Sequence, residues 1–107
     1  MSMPKWIAEW IQKDRLVWNK YKLSRKYLRR SKSVKFIEGE KYQGKDKWAW
    51  FKYSVNSKKY GRYWVKYNQG RYDCNCPFFK HRGICSHILA VAQETDVWPQ
   101  KETIFGK

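Results

Sequence analysis

Residues 74–87 read Cys-Asn-Cys-Pro-Phe-Phe-Lys-His-Arg-Gly-Ile-Cys-Ser-His, and this stretch holds all three cysteines of the chain and both of its histidines. Four of these residues form two short pairs, Cys-x-Cys and Cys-x-His, with eight residues between them. Thiolate sulfur and imidazole nitrogen are the ligands that zinc prefers, and three cysteines with one histidine complete a closed tetrahedral site. The pattern predicts a structural Zn²⁺ ion bound by Cys74, Cys76, Cys85 and His87.

The spacing within each pair suits the local backbone that the sequence predicts. Cys74 and Cys76 are two residues apart, so that on an extended strand both side chains point to the same face. Cys85 and His87 directly precede an apolar run at 88–92 that is typical of a helix. The partial positive charge of a helix N-terminus favours nearby thiolates. We therefore expect the metal to join the end of a strand to the start of a helix.

Two other interpretations of the cysteines fit less well. A disulfide framework is disfavoured because the cysteine count is odd and nothing marks the chain as secreted. Three buried cysteines that merely lie close in sequence would not explain the metal-ligand spacing. His81 lies between the two pairs, and we interpret it as a loop histidine because four ligands already fill the site.

The two pairs, the short segment between them and the following Ile-Leu-Ala-Val resemble the SWIM zinc finger. In that family a β-hairpin carries the Cys-x-Cys pair and a helix follows the Cys-x-His pair. The resemblance extends upstream, where residues 50–55 and 63–67 stand in the place of the family's preceding strands. Residues 24–34 resemble the helix-then-strand lead-in of small SWIM proteins. The resemblance covers residues 20–95 and implies one bound zinc ion.

Length and composition limit the class of protein. A chain of 107 residues is a single domain, with or without a tail, and its 19% of aromatic residues supply a large buried area with few side chains. No apolar run approaches the roughly 18 residues of a membrane-spanning helix, and the N-terminus lacks the apolar core of a signal peptide. Reduced thiols and a metal site are typical of the cytoplasm, where we expect the protein to act.

The formal net charge of +15 is the second strong feature of the sequence. Excess positive charge destabilises a compact fold through self-repulsion but attracts polyanions, and nucleic acid is the usual partner of a basic domain. A membrane surface fits less well, since no segment is basic on one side and cleanly apolar on the other. The excess is concentrated near the N-terminus, because residues 20–35 contain eight bases and no acid.

Residues 4–31 have the apolar spacing of helix, and the sequence leaves open whether Asp14 divides them into two helices. In the second half, five bases recur at intervals that place them on one helical face. With one base from the predicted sheet, the candidate nucleic-acid-binding residues are Lys22, Arg25, Lys26, Arg29, Arg30 and Arg62. A solvated surface usually mixes charges of both signs, so we interpret the helical face as a phosphate-binding surface. A plain solvated face is the alternative.

After Ser33 the apolar residues alternate in the manner of strands. The predicted elements are strands at 34–37, 48–55, 60–67 and 71–74, a polar loop over 39–47, a turn at 56–59, a tight hairpin turn at 68–70 and a helix at 86–95. Lysine and arginine residues lie among aromatic residues on these strands. Proteins that bind nucleic acid in this way contact the phosphate backbone with basic side chains and stack aromatic rings on the nucleobases. A sheet with one wet polar face is an equal alternative.

These elements combine into a small α+β domain with an N-terminal helical region, an antiparallel meander of three or four strands and a short C-terminal helix. We divide the chain into a basic helical region at 1–32, a SWIM-type zinc-binding meander plus helix at 33–97, and a tail at 98–107. Because the zinc cross-links the domain, its binding free energy is part of the folding free energy.

We expect a zinc-binding nucleic-acid-binding protein, with DNA favoured over RNA. We do not expect an enzyme, because four protein ligands leave no open position on a catalytic zinc and no known catalytic arrangement is readable. We accordingly expect no small-molecule substrate. The alternative is an adaptor that binds another protein. The resemblance implies this alternative, since SWIM proteins occur beside RecA-family recombinase paralogues in complexes that assist homologous recombination and DNA repair.

Overall fold

The computed structural model describes residues 3–30, 32–57 and 61–105. Its elements are α1 (Lys5–Lys13), α2 (Arg15–Arg29), β1 (Val34–Lys41), β2 (Trp48–Ser57), β3 (Gly61–Asn68), β4 (Arg71–Cys74), α3 (Pro77–Arg82), α4 (Ser86–Thr95) and α5 (Lys101–Phe105). The four strands form one antiparallel sheet in the order β1-β2-β3-β4. The predicted α+β class, with its meander and C-terminal helix, is confirmed. Among the described residues, every helix is too short or too polar to span a bilayer.

Helix α4 lies at the centre of the hydrophobic core. Its residues from Ser86 to Gln93 are all buried, because the helix packs on the sheet at β1, β3 and β4 and on α2. The side of the sheet that faces the helices, the inner face, is apolar and aromatic, with Phe51, Val55, Val65, Tyr67 and Tyr72 buried there. Alternate residues of the same strands point the other way. The helices therefore cover one face of the sheet and leave its outer face to solvent.

Asp14 divides the N-terminal helical region into two helices, which decides between the two alternatives left open by the sequence. Its φ of −117° and ψ of 109° are extended, so it ends α1 and begins α2. One carboxylate oxygen accepts hydrogen bonds from the N–H groups of Leu16 at 3.0 Å and Val17 at 3.4 Å, as an N-cap does. The other accepts from the guanidinium of Arg82 at 2.6 Å. One side chain thus caps α2 and ties it to α3.

Strand β1 continues to Lys41, so the prediction that residues 38–40 end it and that a loop begins at 39 is wrong. Gly39 is not a turn residue but lies opposite Phe51 in the sheet. A Cβ at this position would come within 2.8 Å of the Phe51 Cβ and 3.0 Å of a Trp48 ring carbon. Glycine is required there because aromatic side chains pack directly against its backbone. The pairing of β1 with β2 shifts register between Phe36 and Glu38 and again after Glu40.

Two short helices, α3 and α5, occupy segments for which the sequence predicts a loop and a tail. Helix α3 starts with Pro77 and is ended by Gly83, whose φ of 78° is left-handed. Proline at the start and glycine just past the end are usual helix boundaries, so this helix could have been found. Within α5, Ile104 lies against Gly83, where a Cβ would meet the Ile104 Cγ2 at 2.9 Å. The predicted turn at 56–59 is wrong for Asn56 and Ser57, which continue β2 and pair with β3, and its residues 58 and 59 lie outside the described residues.

We expect Asp14→Ala to lower the free energy of unfolding by about 1 kcal/mol, because the N-cap of α2 is lost. Asp14→Asn keeps a capping oxygen and loses the ion pair with Arg82, so it should cost less. Urea unfolding followed by circular dichroism at neutral pH measures both. Asn19→Ala, at an exposed position of the same helix, is the control and should not destabilise the protein. A loss in Asp14→Ala no larger than in this control would contradict the capping role.

The Asp14 carboxylate also makes stability depend on pH. Burial alone would raise its pKa, but the N–H groups of Val17 and Leu16 and the guanidinium of Arg82 together hold the pKa below 3.8. The stabilisation is therefore complete at neutral pH and is lost as the pH falls below about 4. Thermal unfolding of the wild type and Asp14→Asn across this range should show a smaller acid-dependent loss in the variant. Parallel curves would contradict the assignment.

Candidate metal centre and basic surfaces

The ligand atoms of Cys74, Cys76, Cys85 and His87 all lie within 4.8 Å of one another, and all four residues are buried. The Cys74 Sγ is 3.8 Å from the His87 Nδ1, close to the separation of about 3.6 Å that tetrahedral zinc with ordinary Zn–S and Zn–N bonds requires. The fold thus brings the four predicted ligands together in a donor set that fits one zinc ion. His81 is exposed on α3, outside this cluster.

All four ligands lie at the ends of secondary-structure elements. Cys74 is the last residue of β4, and Cys76 precedes the first turn of α3. Cys85 is the N-cap of α4, and its Sγ accepts a hydrogen bond from the Ile88 N–H at 3.5 Å. His87 follows in the first turn of the same helix. The cluster joins a strand end to a helix start, and the partial positive charge at the start of α4 favours a thiolate there.

Burial and mutual hydrogen bonds shift the pKa values of the three thiols unequally. The hydrogen bond with Cys76 raises the pKa of Cys74 to about 12, and burial raises the pKa of Cys85 well above its ordinary value. Hydrogen bonds from Cys74 and Cys85 hold the pKa of Cys76 far below its ordinary value. Cys76 therefore gives up its proton most readily of the three. A metal must displace the thiol protons of its ligands, so acid opposes binding.

Two tyrosine rings stack against the imidazole of His87. The ring of Tyr63, on β3, has its centroid 4.3 Å from that of the imidazole, and the ring of Tyr27, on α2, lies at 5.6 Å. These contacts fix the plane of a metal ligand and link the metal centre to two elements that supply no ligand. Sequence reasoning missed both residues, because nothing in the strand or helix periodicity distinguishes them from other core aromatics.

The model of the SWIM zinc finger family matches residues 63–96, from β3 through α4, and this segment contains all four ligands. This chain carries a SWIM zinc finger. The family match and the Cys₃His cluster together identify zinc as the metal of this site. No curated protein and no solved structure gives a significant match to the chain.

Lys20 supplies positive charge beside the SWIM finger. Its Nζ lies 4.7 Å from the ring centroid of Phe78 in α3, and its side chain lines a shallow cleft of 220 Å³ together with Cys76 and Cys85. Zinc with three thiolates and a neutral histidine has a charge near −1. A lysine at this cleft offsets that charge.

The predicted nucleic-acid-binding residues lie on two separate surfaces. Lys22, Lys26 and Arg29 are exposed on α2, on the side of the helix opposite its buried residues Val17 and Ser24. We call this side of α2 the basic helix face. Arg62 is exposed on the outer face of the sheet, with its guanidinium carbon 6.0 Å from the ring centroid of Trp64. The structure therefore groups the helical bases together and separates Arg62 from them.

Arg25 and Arg30 border the basic helix face in different ways. The Arg25 guanidinium donates a hydrogen bond to the Gln93 side-chain oxygen at 3.0 Å, and the Gln93 amide in turn donates to the Ser24 hydroxyl at 2.8 Å. This network holds α2 on α4. Arg30 is not helical, contrary to the prediction, because its φ of −93° and ψ of 121° already lead the chain away towards β1.

Removing zinc with a chelator is expected to unfold the SWIM finger, because the free energy of metal binding is part of the folding free energy. Circular dichroism should show loss of helix and strand, and stoichiometric zinc should restore both. An unchanged spectrum in a sample shown by elemental analysis to be metal-free would contradict a structural role for the ion.

Tyr63→Ala is expected to weaken zinc binding about two- to thirteenfold, since an aromatic pair of this geometry contributes about 0.5–1.5 kcal/mol. Competition with a chromogenic chelator measures the affinity. Tyr63→Phe keeps the ring and is the matched control. If Tyr63→Ala and Tyr63→Phe bind zinc equally well, the stacked ring does not support the ligand.

Proposed function

We propose that this protein uses a zinc-stabilised SWIM domain to bind nucleic acid, with DNA the favoured ligand, and that it is not an enzyme. The observation that carries the proposal is the basic helix face, where Lys22, Lys26 and Arg29 are exposed. The sequence has no acid between Asp14 and Glu38. Within the described residues, none of these three bases forms an ion pair.

A surface of one charge sign costs folding free energy through self-repulsion, and a bound polyanion relieves that cost. Lysine and arginine side chains that contact phosphates release condensed counterions, and this release favours binding to DNA of any sequence. The net charge of +15 adds a long-range attraction that speeds association with a polyanion. The face is suited to phosphate contact with little sequence preference.

The role we assign to zinc is support for α2. Tyr27 of α2 stacks on the zinc ligand His87, and Ser24 is hydrogen-bonded to α4 through Gln93. Both contacts lie on the side of α2 that faces away from the exposed bases. Four protein ligands fill a tetrahedral zinc, which supports a structural ion and a function without catalysis.

The test is the salt dependence of binding to duplex DNA. Lys22→Gln, Lys26→Gln and Arg29→Gln in one variant should reduce the slope of log affinity against log salt by about 2–3, since each phosphate contact contributes about 0.9. The matched control replaces three exposed lysines elsewhere with glutamine: Lys45, Lys47 and Lys101. It loses the same charge and should keep most of the slope. Equal slopes in the two variants would show that the basic helix face does not bind DNA.

An adaptor function is the second candidate, and it is favoured by exposed apolar side chains near the start of α2. Leu16 and Trp18 are 50% and 43% exposed on either side of the buried Val17, and exposed large apolar side chains occur at protein interaction sites. The partner we propose for this case is a RecA-family recombinase paralogue, with a role in homologous recombination. The test is co-purification of such a paralogue with the nuclease-treated wild type and with Leu16→Ser/Trp18→Ser. Equal retention by both would argue against this surface.

A further inference from the structure

The outer face of the sheet combines exposed bases with two tryptophans. No element in the described part of the chain packs over this face, and Lys66 and Arg71 are exposed on it beside Arg62. Trp50 on β2 and Trp64 on β3 are half-buried there. The remaining charged groups of the face are Lys35, Lys52, Glu38, Glu40 and Asp73. An open, basic sheet surface with large aromatic rings is complementary to a ligand that has both planar rings and negative charge.

Each tryptophan lies near an arginine that has no acid opposite it in the sheet. Trp50 pairs with Asn68, and Asn68 pairs with Arg71. Trp64 lies two residues beyond Arg62 on β3, and Arg62 pairs with Asn56. The acids of the face lie opposite other residues, with Glu38 opposite Lys52, Glu40 opposite Trp50 and Asp73 opposite Lys66. Neither arginine therefore has an acid as its cross-strand partner.

Two basic side chains make cation–π contacts with the Trp64 ring. The Lys52 Nζ lies 4.5 Å from its ring centroid, and the Arg62 guanidinium carbon lies 6.0 Å away. A cation over a partly buried surface ring contributes less than a stacked nucleobase does. A nucleobase that stacks on Trp64 would displace the Lys52 ammonium from the ring. The ammonium would then lie beside the phosphate of the same nucleotide.

Trp50 borders an open groove of 370 Å³ that Lys52, Lys66 and Arg71 also line. Trp50 and Trp64 are offset by four residues along the strands, or about 13 Å at the usual rise per residue. Lys52 connects the groove with Trp64, because its side chain lines the groove and its Nζ lies over the Trp64 ring, while Glu38 and Asp73 complete the charged lining. One extended ligand can therefore meet both rings.

We propose that this outer face binds single-stranded nucleic acid, with bases stacked on Trp64 and Trp50 and phosphates held by Arg62, Arg71 and the neighbouring lysines. The inference rests on the proposed nucleic-acid-binding function and adds a site and a strand preference to it. Bases of a duplex are stacked inside the helix and cannot reach the rings, whereas single-stranded bases can. An acidic polypeptide would pair with the lysine and arginine side chains of the face but would make no use of the aromatic rings.

The outer face lies on the opposite side of the sheet from the helices, so the basic helix face and this site are separate surfaces. Their contributions can therefore be removed one at a time. The probes are fluorescein-labelled oligothymidylate of about 12 nucleotides, within the site sizes of known single-strand binders, and a duplex of the same length. Fluorescence anisotropy measures both affinities for the zinc-loaded, full-length protein.

Trp64→Ala should weaken binding of the oligothymidylate about tenfold and change binding of the duplex less than twofold. Trp64→Tyr keeps a stacking ring and should keep most of the affinity. Tyr42→Ala removes an exposed aromatic ring just beyond the end of β1 instead, so it is the matched control and should bind the single strand as the wild type does. If circular dichroism shows that Trp64→Ala fails to fold, Trp50→Ala gives the same measurement.

Wild-type affinity for the oligothymidylate in Trp64→Ala and Trp50→Ala, with duplex binding still dependent on the basic helix face, would overturn only this site. Displacement of the oligothymidylate by polyglutamate as readily as by unlabelled oligothymidylate would also overturn it, in favour of an acidic protein ligand. A wild type that binds neither probe in a salt-dependent manner would overturn the proposed function as well.

Discussion

The convergence of three cysteine sulfurs and one histidine nitrogen is the constraint on which the rest of this structure depends. These atoms come from the end of β4 and from the starts of α3 and α4, within 4.8 Å of one another. A zinc ion at their centre is a cross-link between elements that the chain would otherwise hold together by packing alone. The cross-link matters more in a protein of 107 residues with a net charge of +15, since the core is small and self-repulsion opposes compaction.

The metal centre organises elements that contribute no ligand to it. Tyr27 and Tyr63 bring α2 and β3 against His87, and the buried helix α4 carries two of the ligands while it packs on both the sheet and α2. With α4 enclosed, the outward sides of α2 and of the sheet carry no part of the central packing. The composition of these two surfaces is therefore determined by solvent or by a ligand. Both surfaces are rich in lysine and arginine.

The sequence predicted those features that depend on short-range spacing. The ligand pairs, the helix from Ser86 to Thr95 and the hairpin turn before Arg71 each follow from residues within a few positions of one another. Features that depend on distant contacts were not predictable. Gly39 reads as a turn residue in isolation, and only the aromatic side chains across the sheet give it a place within a strand. Likewise, no local pattern indicates that Tyr27 lies beside His87, sixty residues further along the chain.

A few local sequence features were each compatible with two different structures. Asp14 suited both an exposed helical position and a boundary between helices, and its partner Arg82, far away in sequence, favours the boundary. Pro77 and Gly83 bracket a helix, yet they are equally common in loops. Arg30 continued the helical spacing of the bases, but the chain leaves the helix one residue earlier to reach β1.

The irregular pairing of β1 bears on how molecules of this protein meet one another. As an edge strand with Phe36 and Ile37 exposed, β1 has the apolar character that lets unpaired strands of two chains join and start aggregation. Its register shifts bend and twist the strand, so that a second straight strand cannot align along it. Lys35 and Glu38 beside the apolar pair add charge to the same edge. These features disfavour edge-to-edge pairing between two chains at this margin of the sheet.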